Sequence, residues 1–491
     1  MLSNTTKRLF YIILMIIFGL GIIRYQIQLL SYLEWEDEVT HIVTSKLIHS
    51  GKTLYSEIHE LHGPLTFLSG LLVESLGNFG IRAHRIPIAI LQWFAWLAIY
   101  FSPLLKNQSH LVRITYVLVC ATISLIYFPD IFGHTYLFQV IAGLFLVIIL
   151  SQYTFPSFIK ADQSRSKVIL GNALIACLPF LAFTYIPIAS ALFLAGLTRH
   201  NLRISIYTAV ITVALNLLFL VSIGSITGYL ALHYWINLVV SRQFIEGEAL
   251  GLIYLIKSAL NSITVDLSRF GIFLLICTSL AQLAKFENKF PWRIILIGFG
   301  IASLLTRSQG FQGLTLLYLS LSLPLIFLYD ANLKEGGLLK KDLFLVPILI
   351  VCFIKILLLS PANILDRQIR SSSAFSELVK KITDQNDRII AWPFQNYEYL
   401  LSDRLPASGN FFYLPWQPAY YATPKFGIVI DSCSDIQAAK PKIMLISEYD
   451  FNGVKWNDYR PTCLNDILKT QYHRIPNSAY YIRSDLIQLL K

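Results

Sequence analysis

Runs of apolar residues, each near the length of a membrane-spanning helix, recur between residues 9 and 360 of this chain. A helix needs about 20 mostly apolar residues to cross the hydrocarbon core of a bilayer. Of the 491 residues, 14% are charged, whereas a soluble domain carries about 25%. The pattern predicts a polytopic α-helical membrane protein with about 11 transmembrane helices, among them spans over 9–30, 204–224, 269–284 and 311–329.

The positions of the basic residues predict the orientation of the chain. Lys7 and Arg8 precede the first apolar run, and cytoplasmic loops are rich in such residues. We therefore expect a cytoplasmic N-terminus, a retained first helix, and a first outer loop at residues 31–85. The net charge of +11 lies almost wholly among the apolar runs. Because no soluble module carries a basic patch, nucleic acid is not an expected partner.

Residues 371–491 lack long apolar runs and alternate between two kinds of pattern. Four segments read as strands: DRIIAWPF, KFGIVID, KIMLISE and AYYIRSD. SSAFSELVKKITDQ and PTCLNDILKTQ read as helices, the second with Thr462 as its cap. The chain thus divides into a transmembrane domain, residues 1–370, and a small C-terminal extracytoplasmic α/β domain. In that compartment Cys433 and Cys463 are candidates for a disulfide.

An acidic cluster follows the first apolar run. Glu34, Glu36, Asp37 and Glu38 precede a predicted surface helix over 39–50. Charged residues beside a bilayer are costly and often mark functional sites. A carboxylate held there could act as a general base on a hydroxyl group. The alternative is that the acids only solvate a helix end.

The order of short motifs in this region resembles a known family. W-x-D-E is followed by G-K-T-L-Y, H-x-L-H-G-P-L and F-G-I-R-A-H-R. This order is similar to that of the GT-C glycosyltransferases that use polyprenyl-phosphate sugar donors, namely the protein O-mannosyltransferase-like group and the lipid A aminoarabinose transferases. The resemblance is strongest over residues 30–140. It implies a GT-C fold and an inverting glycosyltransferase in a bacterial inner membrane, with its active site on the outer face.

The resemblance implies three kinds of partner: a polyprenyl-phosphate-linked sugar as donor, membrane lipids, and an acceptor. The acceptor could be a lipid, a glycan or a protein, and the identity of the sugar stays open. In this reading Asp37 is the general base, with Glu38 beside it. Asp130, in the outer loop after the third span, is a second catalytic acid; otherwise it forms a turn with Pro129.

Positively charged groups are needed to bind the donor phosphate and stabilise the leaving group. The candidates are His59, His62, Arg82, Arg85 and Arg307, with His233 and Arg242 as weaker ones. Structural alternatives exist for several of them. His62 could start a helix, Arg82 and Arg85 could pair with Glu74 or hold the acidic loop, and Arg307 could reach the membrane interface.

No cofactor motif is present, and a divalent cation bound by Asp37 and Asp130 remains open. Two other functions compete with the glycosyltransferase. A transporter or flippase of lipid-linked sugars would also need many spans, but such proteins often show two matching halves, and none is visible here. A polymerase or ligase of surface glycans usually places its main outer loop between late spans, whereas the acidic loop of this chain comes first.

Overall fold

The structure is a computed structural model that describes residues 4–77, 80–159, 164–245, 267–287, 291–305, 312–333 and 367–490, with a few single residues between them. The chain divides into two compact units, which we describe separately. The first unit contains residues 1–32, 85–216 and 251–368, and the second contains 33–84, 217–250 and 369–491. The predicted boundary at residue 370 lies close to the division at 368/369. The second unit, however, also includes residues 33–84, which contain the acidic cluster.

The described part of the first unit is helical. Its longer helices are Asn4–Leu29, Ile81–Tyr100, His110–Ile131, Phe138–Ile149, Arg165–Cys177, Ile186–Gly196, Leu202–Ile223, Leu267–Ala284, Trp292–Leu305, Gln312–Ser322 and Pro324–Leu333. Short helical turns join them at Pro103–Leu105, Leu150–Thr154, Phe155–Phe158, Leu178–Phe180 and Phe183–Tyr185. Two of the longer helices, Ile81–Tyr100 and Leu202–Ile223, extend into the second unit.

Three of the described helices are long and apolar enough to cross a membrane: His110–Ile131, Phe138–Phe158 and Leu202–Ile223. The apolar window of the second is 94% buried, and that of the third is 22% buried. The second therefore lies among other helices, whereas the third offers its apolar side chains to a surrounding lipid phase. Other apolar helices are shorter, so the number of about eleven spans stays a prediction.

Local sequence explains where several of these helices begin and end. The Ser109 side chain accepts a hydrogen bond from the Val112 N–H and caps helix His110–Ile131. The helix ends at Phe132, which has a φ of 58°. The predicted span over 311–329 is interrupted, because Pro324 lacks the N–H that a continuous helix would need.

The second unit contains the acidic helix, Glu36–His49, and short helices at Pro64–Phe67, Leu68–Ser75, Ile226–Gly228, Tyr229–Val240 and Arg242–Ile245. Its C-terminal segment, residues 369–491, adds helices Ala374–Ile382, Tyr397–Ser402, Trp416–Ala422, Ser432–Ala439, Trp456–Tyr459, Leu464–Gln471 and Ser484–Leu490. Ser373 begins the first of these with a reciprocal pair of hydrogen bonds to Ser376.

Six strands lie in the C-terminal segment: β1 Ile390–Trp392, β2 Ile443–Ile446, β3 Asp450–Phe451, β4 Val454–Lys455, β5 Tyr472–Arg474 and β6 Tyr480–Arg483. Four form a sheet in the order β1-β2-β6-β5, in which only β1 and β2 are parallel. Strands β3 and β4 form a hairpin. Trp392, Met444 and Trp456 belong to the buried core of this segment.

Three of the four predicted strands are confirmed, namely those that contain β1, β2 and β6. The prediction of a strand over 425–431 is wrong. Phe426 has a φ of 55° and Gly427 a φ of 69°, and these left-handed residues turn the chain where a strand would run straight. The predicted cap Thr462 is also wrong, because Cys463 precedes the helix and makes no side-chain cap. Cys463 is bonded to Cys433, with Cα atoms 6.1 Å apart.

Candidate active site

The acidic helix begins three residues earlier than predicted, at Glu36. Glu36, Asp37 and Glu38 therefore lie in its first turn, and only Glu34 lies before it. Carboxylates are favourable at a helix N-terminus, because the unpaired N–H groups there carry partial positive charge. This explains locally why the acidic residues fold as part of the helix and not as a loop.

Asp37 is half-buried on this turn, whereas Glu38 beside it is fully buried. Burial raises the pKa of Asp37, and the charge of His62 and a hydrogen bond from Trp35 offset part of that rise. A carboxylate of raised pKa is a stronger base than a free one, and solvent still reaches Asp37, so it is suited to accept a proton from a hydroxyl group.

His62 is the nearby imidazole, and Glu60 holds it. The Nδ1–H of His62 donates to Glu60 Oε1 at 2.6 Å. Burial works against the imidazolium, but Glu60 and Asp37 raise the pKa of His62 above its ordinary value. Burial alone would raise the pKa of Glu60, but the charge and hydrogen bonds of His62 lower it to about 2. The charges of Glu60 and Asp37 thus both favour the protonated imidazole of His62, and Glu60 bonds that ring directly.

The segment that carries Glu60 and His62 is fixed from two sides. Thr44 on the acidic helix donates to Glu60 Oε2 at 2.9 Å. On the other side, the buried ring of His233 donates from Nδ1 to the carbonyl of Leu61 at 2.7 Å, and Asn237 donates to the same oxygen at 2.9 Å. His233 therefore supports the backbone of this segment, a different role from the predicted contact with phosphate.

The C-terminal segment supplies neighbours to the acidic turn. Arg370 Nε donates to Glu34 Oε1. Burial raises the pKa of Glu36 to about 8, although the charge of Arg370 lowers it. Burial raises the pKa of Tyr449, and the nearby charges of Asp37 and Glu36 raise it further.

His59 was predicted to bind substrate, but the structure gives it another role. The ring of His59 is fully buried, and its Nδ1 pairs with the Tyr421 hydroxyl at 3.0 Å. The backbone N–H of His59 donates to the Gly409 carbonyl at 3.1 Å. Burial lowers the pKa of His59 to about 3. A neutral, enclosed ring does not offer charge to a phosphate, so His59 anchors the loop to the C-terminal segment.

The two predicted arginines near residue 85 differ. Arg85 is fully buried and donates to the carbonyl groups of Leu29 and Tyr32 at the end of the first helix. These bonds agree with the structural alternative, and a contact of Arg85 with substrate stays a prediction. Arg82 is exposed and stays a prediction. Neither of them pairs with Glu74, whose carboxylate contacts Lys46 at 3.3 Å and His84 at 3.4 Å.

Asp130 is exposed in the last turn of helix His110–Ile131 and not in a loop after it. It belongs to the first unit, whereas Asp37 belongs to the second. Arg307 and the side chain of Arg242 lie outside the described residues. Among the described residues, no group of three or more His, Cys, Asp or Glu side chains is arranged to hold a metal ion.

Sequence reasoning did not identify Glu60, Arg370 or Asn396, whose backbone N–H bonds Glu36, as parts of this site, and it marked Trp35 only as part of the W-x-D-E motif. Glu60 could have been found, because it lies between His59 and His62 in a segment already marked as important. Asn396 and Arg370 gave no comparable signal, since they follow the apolar region by many residues.

Comparison with known proteins shows the fold. No protein-family model and no curated protein matches this sequence. The apo structure of ArnT from Cupriavidus metallidurans aligns with 98% of this chain and 98% of its own, at 10% identity and a TM-score of 0.55. ArnT bound to undecaprenyl phosphate aligns over the same shares at 9% identity and a TM-score of 0.47. The apo oligosaccharyltransferase of Archaeoglobus fulgidus aligns with 90% of this chain and 70% of its own, at 11% identity and a TM-score of 0.48.

Of these three likenesses, the TM-score of apo ArnT indicates a common fold, and the two lower scores add no argument. The fold that the motif resemblance implied is thereby confirmed. Together with the long apolar helices, it identifies this protein as an integral membrane protein of the GT-C fold.

Proposed function

We propose that this protein is a membrane glycosyltransferase that moves a sugar from a polyprenyl-phosphate donor to an acceptor hydroxyl. The observation that carries the proposal is the contact of His62 with the buried Glu60, on a segment that Thr44 ties to the helix of Asp37. The charge of Glu60 favours a protonated His62, and burial raises the pKa of Asp37. The fold is consistent with this activity, since it is the fold of ArnT, a lipid A aminoarabinose transferase.

In the proposed reaction Asp37 is the general base. Its carboxylate takes the proton of the acceptor hydroxyl, and the oxygen attacks the anomeric carbon of the donor sugar. A new bond from carbon to the acceptor oxygen forms as the bond to the phosphate oxygen breaks. The bonding electrons leave with the polyprenyl phosphate, and a single displacement inverts the anomeric configuration. Asp37 is a better candidate than Glu38, because Glu38 is fully buried.

His62 has the complementary role. Negative charge builds up on the phosphate as it leaves, and a fixed positive group stabilises it most strongly where water is excluded. The side chain of His62 is 27% exposed, whereas that of Glu60 is fully enclosed. A phosphate can therefore reach the ring of His62. The carboxylate of Glu60, which bonds Nδ1 of the same ring, favours the charged imidazole.

The test is transfer by purified protein in liposomes. The donor would be a polyprenyl-phosphate sugar labelled in the sugar, and the acceptor source a cell-envelope extract. We expect release of polyprenyl phosphate and label in an inverted linkage, and Asp37→Asn should lower the rate by about 10²- to 10⁴-fold. Glu57→Gln is the control, because Glu57 is an exposed carboxylate of the same loop.

Two results would overturn the proposal. One is full activity of the Asp37→Asn protein, which would remove Asp37 from the chemistry. The other is movement of the intact labelled lipid across the bilayer without release of polyprenyl phosphate, which would indicate a transporter or flippase.

A further inference from the structure

The acidic helix does not fix its own first turn. The residue before it, Trp35, has an extended backbone and makes no side-chain cap to the turn. A helix N-terminus leaves four N–H groups without partners in the helix, and a capping side chain normally restrains that turn. The orientation of Asp37 therefore depends on groups outside the helix.

Asn396 of the C-terminal segment supplies one such restraint. Its Nδ2 donates to Thr40 Oγ1 at 2.7 Å, and Thr40 Oγ1 donates to the Glu36 carbonyl at 2.9 Å. The backbone N–H of Asn396 also bonds the Glu36 side chain. Asn396 and Thr40 are both buried, so water does not compete for these bonds. Asn396 thus holds the residue before Asp37 and the residue one turn further along.

Arg370 supplies a second restraint. Its guanidinium bonds Glu34, just before the helix, and lies over the ring of Tyr397 at 4.4 Å. The Tyr397 hydroxyl donates to the Arg370 carbonyl at 2.8 Å. Tyr397 follows Asn396 directly, so the residue that supplies the first restraint is next in sequence to the residue that supports Arg370.

We propose that Asn396 and Arg370 are positioning residues, which hold the first turn of the acidic helix so that Asp37 faces the acceptor hydroxyl. The inference rests on the proposed function of Asp37 and adds that the C-terminal segment takes part in catalysis without touching substrate. Its physical basis is the steep dependence of proton transfer on geometry, since a displacement of about 1 Å can cost about 10²-fold in rate.

Thr40→Val is the sharpest test, because it removes one hydroxyl and keeps the shape of the side chain. We expect kcat to fall about ten- to hundredfold with little change in KM for the donor, because the restraint acts on the reacting geometry and not on binding. Asn396→Ala should behave alike, and Thr40→Ser, which restores the hydroxyl, should recover most of kcat. In Thr40→Val/Asn396→Ala the losses should not add, because both changes break the same bond.

The chain offers a matched control in Thr383→Val. Thr383 is also buried, donates to the carbonyl four residues earlier at 2.7 Å, and accepts from a distant side chain, Arg404, at 3.0 Å. It does not contact the acidic helix. We expect this variant to unfold at a lower temperature, as Thr40→Val does, but to keep the kcat of the parent protein.

The outcomes separate the two proposals. If Asp37→Asn is inactive but Thr40→Val and Asn396→Ala keep the parental kcat, the positioning role is wrong and the proposed function stands. A loss of kcat in Thr383→Val as large as that in Thr40→Val would also overturn the positioning role, because lowered stability of the protein would then explain both losses. Full activity of Asp37→Asn would remove the proposed function itself. If Thr40→Val does not fold, Thr40→Ser and Asn396→Asp are compared by the same kinetic measurements.

Discussion

His62 donates from Nδ1 to the Oε1 of Glu60 at 2.6 Å, within a single turn of chain. Glu60 is fully enclosed and also accepts from the Leu61 N–H at 2.8 Å and from the Thr44 hydroxyl at 2.9 Å. A buried carboxylate with this many donors stays charged. It therefore maintains a positive imidazole within electrostatic reach of Asp37.

The first prediction concerns the alkaline side of the pH profile. Glu60→Gln removes the negative charge that raises the pKa of His62, so that burial, which lowers it, should dominate. The imidazolium would then be lost at lower pH, and the alkaline limb of kcat/KM should move to lower pH. The measurement is kcat/KM for the donor across pH, with Glu57→Gln as the control. An unmoved alkaline limb would show that the charge of His62 is not used.

The second prediction concerns the acidic side. Trp35 donates a hydrogen bond that lowers the pKa of Asp37, so Trp35→Phe should raise that pKa further. Asp37 would then be protonated at higher pH, and the acidic limb of kcat/KM should move upward. Trp416→Phe is the control, since Trp416 is also a buried indole but is not among the groups that shift the pKa of Asp37. A shift of equal size in both variants would argue against the assignment.

The third prediction concerns stability and pH. The pKa of Glu36 is raised from 4.5 to about 8, so the folded protein holds a proton that the unfolded chain releases. The free energy of unfolding should therefore fall as pH rises from 4.5 toward 8. Glu36→Gln mimics the protonated group and should flatten this dependence in thermal unfolding in detergent. Glu377→Gln, at an exposed helix start, should leave it unchanged, and an identical slope in both variants would contradict the prediction.

The fourth prediction concerns Gly409. A Cβ at this position would lie 1.7 Å from the Glu57 carbonyl oxygen, so Gly409→Ala must displace backbone. We expect a loss of about 3 kcal/mol or more in the free energy of unfolding, seen as a lower midpoint of thermal unfolding or a failure to accumulate. Gly271→Ala has open space around its Cβ and should be neutral or slightly stabilising in its helix. If the two variants unfold at the same temperature, the contact between Glu57 and Gly409 contributes little to stability.

Much of the fold was predictable because hydropathy is a local property. Helices Asn4–Leu29, Leu202–Ile223 and Leu267–Ala284 lie within a few residues of the predicted spans, since each run of apolar residues specifies its own helix. The strand predicted at 425–431 failed for the complementary reason. Its apolar residues fit a strand by composition, but Phe426 and Gly427, near its start, have left-handed backbone conformations that composition does not reveal.

The candidate site was predictable only in part. The acidic residues stand out because charge beside apolar runs is rare, and the resemblance of the surrounding motifs to a known family points to Asp37 among them. The partners of its helix could not be found in this way, because Asn396 and Thr40 are 356 positions apart. His59 was assigned to substrate because imidazoles bind phosphates, whereas burial under Tyr421 gives it a structural role.

The second unit is assembled from three separate stretches of the chain, 33–84, 217–250 and 369–491. The contacts that hold the acidic helix therefore cannot all form while the protein is still emerging from the ribosome. The hydrogen bond from the His59 N–H to the Gly409 carbonyl can form only after Gly409 has been synthesised. The bond from Asn396 to Thr40 likewise requires that Asn396 has been synthesised. Contacts so distant in sequence are slow to form. During membrane insertion the acidic helix and the loop after it would thus lack these contacts until synthesis has passed both partners.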